Sequence, residues 1–141
     1  MEHITQFAIN HWQLCLALVV LLILIGLNEL FTQMTSPKAL SPQSAVEKIN
    51  HDSAVVIDIR NQEAFASGHI INAIRASAED FSLPRMQKYK SKPIILVCSK
   101  GIQAQTLASK LKSDGFTSTM VLAGGMTAWQ SAGLPLVKGN K

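Results

Sequence analysis

The N-terminal part of the chain is dominated by one apolar segment. Leu14 to Leu27 form an unbroken apolar run, and further apolar residues on both sides extend the segment from Ala8 to Phe31, a stretch of 24 residues. A helix needs about 20 such residues to cross the hydrocarbon core of a bilayer. Trp12 suits the membrane interface. The pattern predicts a transmembrane anchor over residues 1–31.

A signal peptide and a buried soluble helix are the two alternatives to an anchor. A cleaved signal peptide normally has a basic n-region and a small-residue cleavage site. Residues 1–37 contain no Lys or Arg, and no such site follows Leu27. A buried helix of a soluble protein normally keeps a polar face, which this run lacks. An uncleaved anchor is therefore the favoured interpretation.

Basic residues flank the predicted anchor on its C-terminal side only. Lys38 and Lys48 lie there, whereas the N-terminal side carries Glu2, His3 and His11. The positively charged side of a membrane helix tends to stay cytoplasmic. We therefore expect a single-pass protein of the inner (cytoplasmic) membrane whose domain faces the cytoplasm.

After a polar linker over residues 32–40, apolar runs alternate with amphipathic segments. This alternation predicts an α/β fold, with a small, mainly parallel sheet flanked by helices, in one domain over residues 41–137. The runs are apolar on both faces, as expected of buried parallel strands. The predicted elements are strands at Ala54–Ile59, near Ile74, at Ile94–Val97 and at Thr119–Leu122, and helical segments from Ser41-Pro42 and at 62–67, 79–89, 103–114 and 126–131.

The charge of the chain is unevenly distributed. All thirteen Lys and Arg residues lie at or after Lys38, together with seven of the nine acidic residues, which leaves this part with a net charge of +6. A net positive charge favours anionic substrates or an anionic membrane surface as partners. The simpler explanation is that these charges keep the domain soluble. The basic residues are scattered along the sequence, and no nucleic-acid-binding motif is present, so we expect no nucleic-acid partner.

The chain has two cysteines, Cys15 and Cys98. Cys15 lies inside the apolar N-terminal run, so we expect no disulfide framework. No group of Cys and His residues has the spacing of a zinc site, and we expect no metal centre.

Cys98 carries the strongest chemical signal. It follows the apolar run Pro93–Val97 and opens a short loop, Cys98 to Gln103, which leads into an amphipathic helix. Backbone N–H groups at a helix start favour the thiolate over the thiol, and the thiolate is the nucleophilic form. The pattern therefore predicts a nucleophilic cysteine beyond the carboxyl end of a strand, where open α/β sheets bind ligands. A buried structural thiol is the alternative.

Four stretches in this order resemble the rhodanese family, and the resemblance covers nearly the whole soluble part of the chain. The layout of an anchor followed by one such domain is similar to small membrane-tethered rhodaneses of bacteria. The four stretches are Val56-Ile-Asp-Ile-Arg60, Glu63-Ala-Phe-Ala-Ser-Gly-His-Ile70, Cys98-Ser-Lys-Gly-Ile-Gln103, and Leu122-Ala-Gly-Gly-Met-Thr-Ala-Trp129 followed by Gly133-Leu-Pro135.

The resemblance implies sulfurtransferase chemistry. The Cys98 thiolate would take a sulfane sulfur from a donor and become a persulfide, which a thiol acceptor or cyanide then discharges. No metal or organic cofactor is needed. The amides of the loop would hold the anionic donor and the persulfide. The substrate-binding residues implied within the loop are Ser99, Lys100, Gly101, Ile102 and Gln103.

Two positions near Cys98 bear on the substrate. The family often has arginine at position 103, where it would hold thiosulfate through paired hydrogen bonds. Gln103 offers hydrogen bonds without charge and Lys100 offers a mobile cation, so a protein persulfide or another thiol-bound sulfur is at least as good a candidate donor as thiosulfate. Arg60 either raises the positive potential around the site and contributes to substrate binding, or forms a structural pair with Asp58.

Three other functions use a similar loop cysteine or a similar fold. Phosphatase or arsenate-reductase chemistry needs an arginine six residues after the cysteine, and position 104 is alanine. A thiol redox sensor is disfavoured because the soluble part has no second cysteine to resolve an oxidised Cys98. A membrane-tethered interaction or scaffold module that keeps the rhodanese shape without turnover is the main alternative, and it would engage a membrane-protein partner.

Overall fold

The computed structural model describes residues 6, 7 and 9–140, with the backbone alone at residues 33–35. The chain divides into two compact units, Met1–Ser36 and Pro37–Lys141. The helices are α1 (Trp12–Thr35), α2 (Pro42–His51), α3 (Gln62–Ser67), α4 (Pro84–Gln87), α5 (Ile102–Ser113) and α6 (Gly125–Ser131), with a 3₁₀ turn at Glu79–Ser82. The strands are β1 (Lys38–Leu40), β2 (Val55–Asp58), β3 (Ile74–Arg75), β4 (Ile94–Val97) and β5 (Thr119–Leu122).

The first unit is built around the apolar helix α1. Among the described residues, its segment Trp12–Thr32 is the one helix long and apolar enough to cross a membrane. The side chains of this segment are exposed, apart from the half-buried Cys15. The N-terminal apolar helix expected from the sequence is therefore present. Residues 1–5 and Ala8 of the predicted anchor lie outside the described residues.

The second unit is built on a parallel sheet. Within residues 37–140, five strands pair in the order β1-β5-β4-β2-β3, and every pairing is parallel. The side chains of β4 and β5 are buried along their whole length, because helices cover both faces of the sheet. The predicted α/β class with a mainly parallel sheet is confirmed.

Each face of the sheet has its own hydrophobic core. On one face, Ile57 and Leu96 pack with residues of α5, α4 and the 3₁₀ turn. On the other face, Val56 and Ile95 pack with residues of α2, α3 and α6. Neighbouring residues of a strand point to opposite faces, so each buried strand supplies both cores and its sequence is apolar throughout.

The structure differs from the predicted linker over residues 32–40. Helix α1 continues to Thr35, and Lys38–Leu40 form the edge strand β1. This strand is fixed by long-range pairing, with Ala39 opposite Val121 and the Ala123 N–H donating to the Leu40 carbonyl at 2.8 Å. Only Leu40 of its three residues is buried, so the segment carries no alternation that a sequence pattern could detect.

Candidate functional site

The candidate site lies at the carboxyl ends of the central strands. Cys98 directly follows β4, and Asp58, the last residue of β2, is paired with Val97. A cavity of about 320 Å³ opens here. Its lining residues are Cys98, Ser99, Lys100, Ile102 and Gln103. These are the cysteine and four of the substrate-binding residues implied by the sequence, so the loop forms one concave surface above the sulfur.

The sulfur of Cys98 is buried and accepts hydrogen bonds from the backbone. The residue is 2% exposed, the Gly101 N–H donates to Sγ at 3.0 Å, and the Ala104 N–H donates to it at 3.4 Å. Both donors belong to the start of α5, whose helix dipole also favours negative charge at that end. Hydrogen bonds to an ionised acceptor are the stronger kind. The loop therefore presents two backbone donors to this sulfur.

Gly101 shapes the loop through its backbone. It caps α5 in the left-handed region, with φ of +93°. A Cβ at this position would lie 3.0 Å from the Gly124 nitrogen and 3.3 Å from the Leu122 oxygen. Glycine adopts this angle without strain, and the lack of a side chain also lets the loop approach the segment after β5 closely.

The start of α6 forms the floor beneath the loop, a feature that the sequence analysis missed. The Met126 N–H donates to the Cys98 carbonyl at 2.9 Å, and the Thr127 N–H and Oγ1 both donate to the Ser99 carbonyl, at 3.1 and 3.0 Å. Gly125 approaches so closely that a Cβ there would lie 2.2 Å from the Cys98 oxygen. The signal was the glycine pair Gly124-Gly125, which a sequence pattern treats as a strand end.

The chemical character of the cavity is set by the exposed loop side chains. Lys100 and Gln103 are exposed, and Ile102, at the start of α5, is 73% exposed. Lys100 is the one formally charged side chain among the residues lining this cavity. In the part of the chain that the structure describes, no carboxylate pairs with it. The site thus combines a cysteine sulfur, backbone amide donors and one flexible cation.

Arg60 makes the contacts of a structural pair. Its Nε lies 3.0 and 3.1 Å from the two Asp58 carboxylate oxygens, and its Nη2 donates to Asp58 Oδ2 and to the Gly68 carbonyl, both at 2.7 Å. The side chains are 9% and 1% exposed. Arg60 is not among the residues that line the cavity at Cys98. The structural alternative accounts for these contacts, which join the end of β2 to the turn after α3.

Replacing Arg60 with glutamine should destabilise the domain strongly. The change leaves the buried Asp58 carboxylate without its partner, which costs about 3 kcal/mol or more of unfolding free energy. The matched control is Lys48→Gln, which removes the exposed ion pair with Asp52 and should leave the unfolding free energy nearly unchanged, because exposed ion pairs contribute little to stability. Denaturant unfolding of the full-length chain in detergent measures both. Equal losses in the two variants would contradict a structural role for Arg60.

His69 and Trp129 make the contacts of structural side chains. The His69 ring is fully buried, stacks on Phe65 with centroids 3.8 Å apart, and has Nδ1 at 2.8 Å from the Phe65 carbonyl. Its backbone pairs with Val137. Trp129 is buried in the core, and its Nε1–H donates to the Pro135 carbonyl at 3.1 Å. Neither ring is part of the cavity at Cys98.

Known proteins are similar in sequence to this chain. The family model described as "Rhodanese-like domain" matches residues 41–132. The uncharacterized protein YibN of Escherichia coli K12 is 35% identical over 99% of this chain and 100% of its own length. The thiosulfate sulfurtransferase GlpE of Pseudoalteromonas translucida is 33% identical over 67% of this chain and 90% of its own length.

Solved structures share the fold. A rhodanese-related protein from Thermoplasma volcanium superimposes with a TM-score of 0.63 at 20% identity, covering 71% of this chain and 97% of that protein. A thiosulfate sulfurtransferase from Pseudomonas aeruginosa gives a TM-score of 0.65 at 20% identity, covering 74% of this chain and 20% of the longer protein. At such identities the agreement concerns the fold alone.

Proposed function

The chain belongs to the rhodanese-like domain family, and from this premise we propose that it is a sulfurtransferase-type protein that carries sulfane sulfur as a persulfide on Cys98 at the membrane. The main support for the proposal is the environment of the Cys98 sulfur, which combines backbone hydrogen bonds with an adjacent cavity. Amides of Gly101 and Ala104 donate to Sγ at 3.0 and 3.4 Å, and Cys98 lines a cavity of about 320 Å³ together with residues of the loop.

The reaction has two balanced steps. The Cys98 thiolate attacks the outer sulfur of a persulfide R–S–SH, so that a new S–S bond forms, the donor S–S bond breaks, and R–S⁻ leaves. An acceptor thiolate then attacks the outer sulfur of the Cys98 persulfide and regenerates the Cys98 thiolate. With thiosulfate as donor, the leaving group is sulfite. The amides that face Sγ stabilise the Cys98 thiolate, the state that begins and ends the cycle.

The cavity favours a donor that carries little charge. Thiosulfate is a dianion, and its recognition is strongest with a fixed, bidentate cation. The cavity offers instead the neutral Gln103, the exposed apolar Ile102 and the flexible Lys100. We therefore assign a thiol-borne persulfide as the preferred donor and a thiol as the acceptor, with thiosulfate a weaker donor.

The proposal includes anchoring in the membrane. The helix α1 has the length and composition of a membrane span, and the E. coli relative aligns with the N-terminal segment as well as the domain. Lys38 and Lys48 follow the helix, whereas no Lys or Arg precedes it. Under the positive-inside tendency, the chain is a single-pass protein of the inner membrane with its domain in the cytoplasm.

A sulfur-transfer assay of the full-length chain in detergent tests the proposed activity. Transfer from a low-molecular-weight thiol persulfide to cyanide should exceed transfer from thiosulfate at equal concentration. Faster transfer from thiosulfate would contradict the assignment of the donor. No transfer from either donor, in a sample shown to be folded, would favour the non-catalytic interaction module.

Replacing Gln103 with arginine should raise the thiosulfate activity. A guanidinium at this position would add charge-assisted hydrogen bonds to the dianion, and kcat/KM for thiosulfate should rise about tenfold, the equivalent of one such bond. The matched control is Gln105→Arg, which adds the same charge on α5 beside a different cavity. An unchanged or lower activity in Gln103→Arg, or an equal rise in the control, would contradict this account of the loop.

A further inference from the structure

The charged residues of the domain are unevenly distributed between the two ends of the parallel sheet. We call the end where the strands begin the amino end, and the end where they finish, which carries Cys98, the carboxyl end. Helices that connect parallel strands run back from the carboxyl end to the amino end. Their last turns therefore join the loops at the amino end, although the residues concerned are scattered along the sequence.

The amino end is strongly basic. Among the described residues, the segments that lead into the strands carry seven lysines and two carboxylates, a formal charge of +5. The segments that follow the strands carry four cations and four carboxylates, a formal charge of zero. The residues that lead into the strands are Lys38, Lys48, Lys88, Lys90, Lys92, Lys110, Lys112, Asp52 and Asp114; those that end or follow the strands are Arg60, Arg75, Arg85, Lys100, Asp58, Glu63, Glu79 and Asp80.

Four of these residues, Lys38, Lys90, Lys92 and Lys110, are here called the amino-end lysines. Lys90 is half-buried and the other three are exposed. In the part of the chain that the structure describes, no carboxylate forms an ion pair with any of them. Their charges are therefore not balanced by ion pairs within the domain.

Contacts among the loops hold two of these lysines near each other. Lys90 and Lys110 line one cavity of about 280 Å³, which Asp114 also lines. The Lys90 ammonium lies 5.7 Å from the centroid of the Phe116 ring. The Lys90 carbonyl accepts from the Thr117 N–H at 3.3 Å, so the loop before β4 is tied to the loop before β5.

We propose that the amino-end lysines bind the headgroups of anionic lipids. The amino end is the end at which the chain enters the domain, because Lys38 begins β1 three residues after the last residue of α1, Thr35. Lysines are mobile point charges, which suit a fluid array of phosphates. The cytoplasmic leaflet is negatively charged and attracts basic segments close to a membrane helix. This inference uses the proposed anchoring and orientation but not the sulfur chemistry.

Cys98 lies at the end of the sheet opposite the amino-end lysines. Cys98 follows β4 and so lies at the carboxyl end, whereas Lys92 precedes β4 and lies at the amino end. Lipid contacts at one end therefore leave the cavity at the other end open to a donor or acceptor from the cytoplasm.

Amine labelling of the full-length chain in lipid nanodiscs tests the proposal. The chain is reconstituted in discs of neutral phosphatidylcholine, or in discs with about one anionic phosphatidylglycerol in three lipids, the anionic composition standing for the cytoplasmic leaflet. Acetylation by an uncharged amine reagent is then followed residue by residue with mass spectrometry. Lys100, at the carboxyl end, is the internal control.

The expected result is slower acetylation at Lys90, Lys92 and Lys110 in the anionic discs, by about threefold or more, with the Lys100 rate unchanged. Salt at about 1 M shortens the Debye length to about 3 Å and should remove the difference. Equal rates in the two kinds of disc would overturn the proposal and favour an acidic protein or a nucleic acid as partner. Equal slowing at Lys100 would overturn it as well.

Discussion

Replacing Cys98 with serine (Cys98→Ser) should reduce sulfur transfer to the uncatalysed background. The hydroxyl is close in shape to the thiol and still accepts the hydrogen bond that Gly101 donates to Sγ, so the loop should keep its conformation. A serine hydroxyl cannot form a persulfide, and removing a covalent nucleophile typically costs several orders of magnitude in rate. Initial rates with a thiol persulfide donor measure the loss.

The second cysteine supplies the control for this change. Cys15 lies in α1 and is the other free thiol of the chain, so Cys15→Ser removes an equal number of thiols without changing the loop. This variant should transfer sulfur at the wild-type rate. Residual activity in Cys98→Ser that disappears in the double variant would show that Cys15 carries sulfur and would contradict the assignment to Cys98.

Replacing Gly125 with alanine should have the largest effect of any change outside the cavity lining. The added Cβ would lie 2.2 Å from the Cys98 oxygen and 2.8 Å from the Lys100 nitrogen, and both contacts are with backbone atoms. Gly125 also has φ of +57°, which an alanine adopts at a cost. We expect a loss of about 3 kcal/mol of unfolding free energy, and loss of sulfur transfer in the molecules that still fold.

The variant Gly133→Ala separates the steric clash from the backbone strain. Its φ of +69° resembles that of Gly125, but an added Cβ would meet nothing within 4 Å. Gly133→Ala should therefore cost only the backbone strain, about 1 kcal/mol, and keep full transfer. Thermal unfolding of the full-length variants measures the difference. Equal destabilisation of the two variants would show that the close approach beneath the loop is unimportant.

The elements that local sequence predicts best are those whose patterns are decided by burial or capping. Strands β2, β4 and β5 are apolar because each supplies both cores. The start of α2 follows from the serine cap, with the Ser44 N–H donating to Ser41 Oγ at 3.2 Å, and from Pro42 at the first helical position. Both signals lie within a few residues of the element that they define.

The features that sequence reasoning missed depend on contacts between distant residues. Strand β1 exists because β5 lies beside it, and the floor of the site exists because Thr127 reaches the Ser99 carbonyl, 28 residues away. A glycine pair signals a backbone break, but its partner across the fold is not encoded nearby. The basic amino end of the sheet was missed for the same reason, since its lysines come from separate connections.

The candidate site was predicted in part, because some of its features are local in the sequence and others depend on distant contacts. The loop from Cys98 to Gln103 is contiguous, so its motif places the sulfur and most of the cavity lining together. The role of Arg60 was left open between two alternatives, because only the fold shows that its guanidinium is engaged by Asp58 and the Gly68 carbonyl.

The mass of the protein after exposure to a sulfur donor tests the central claim most directly. The full-length chain is incubated with a thiol persulfide, separated from the donor and measured intact, and its cysteine peptides are then mapped. The proposed chemistry predicts an adduct of about +32 Da, one sulfur atom, on the peptide of Cys98, which cyanide then removes. A folded chain that gains no sulfur, or that carries it on Cys15, would contradict the proposed role of Cys98.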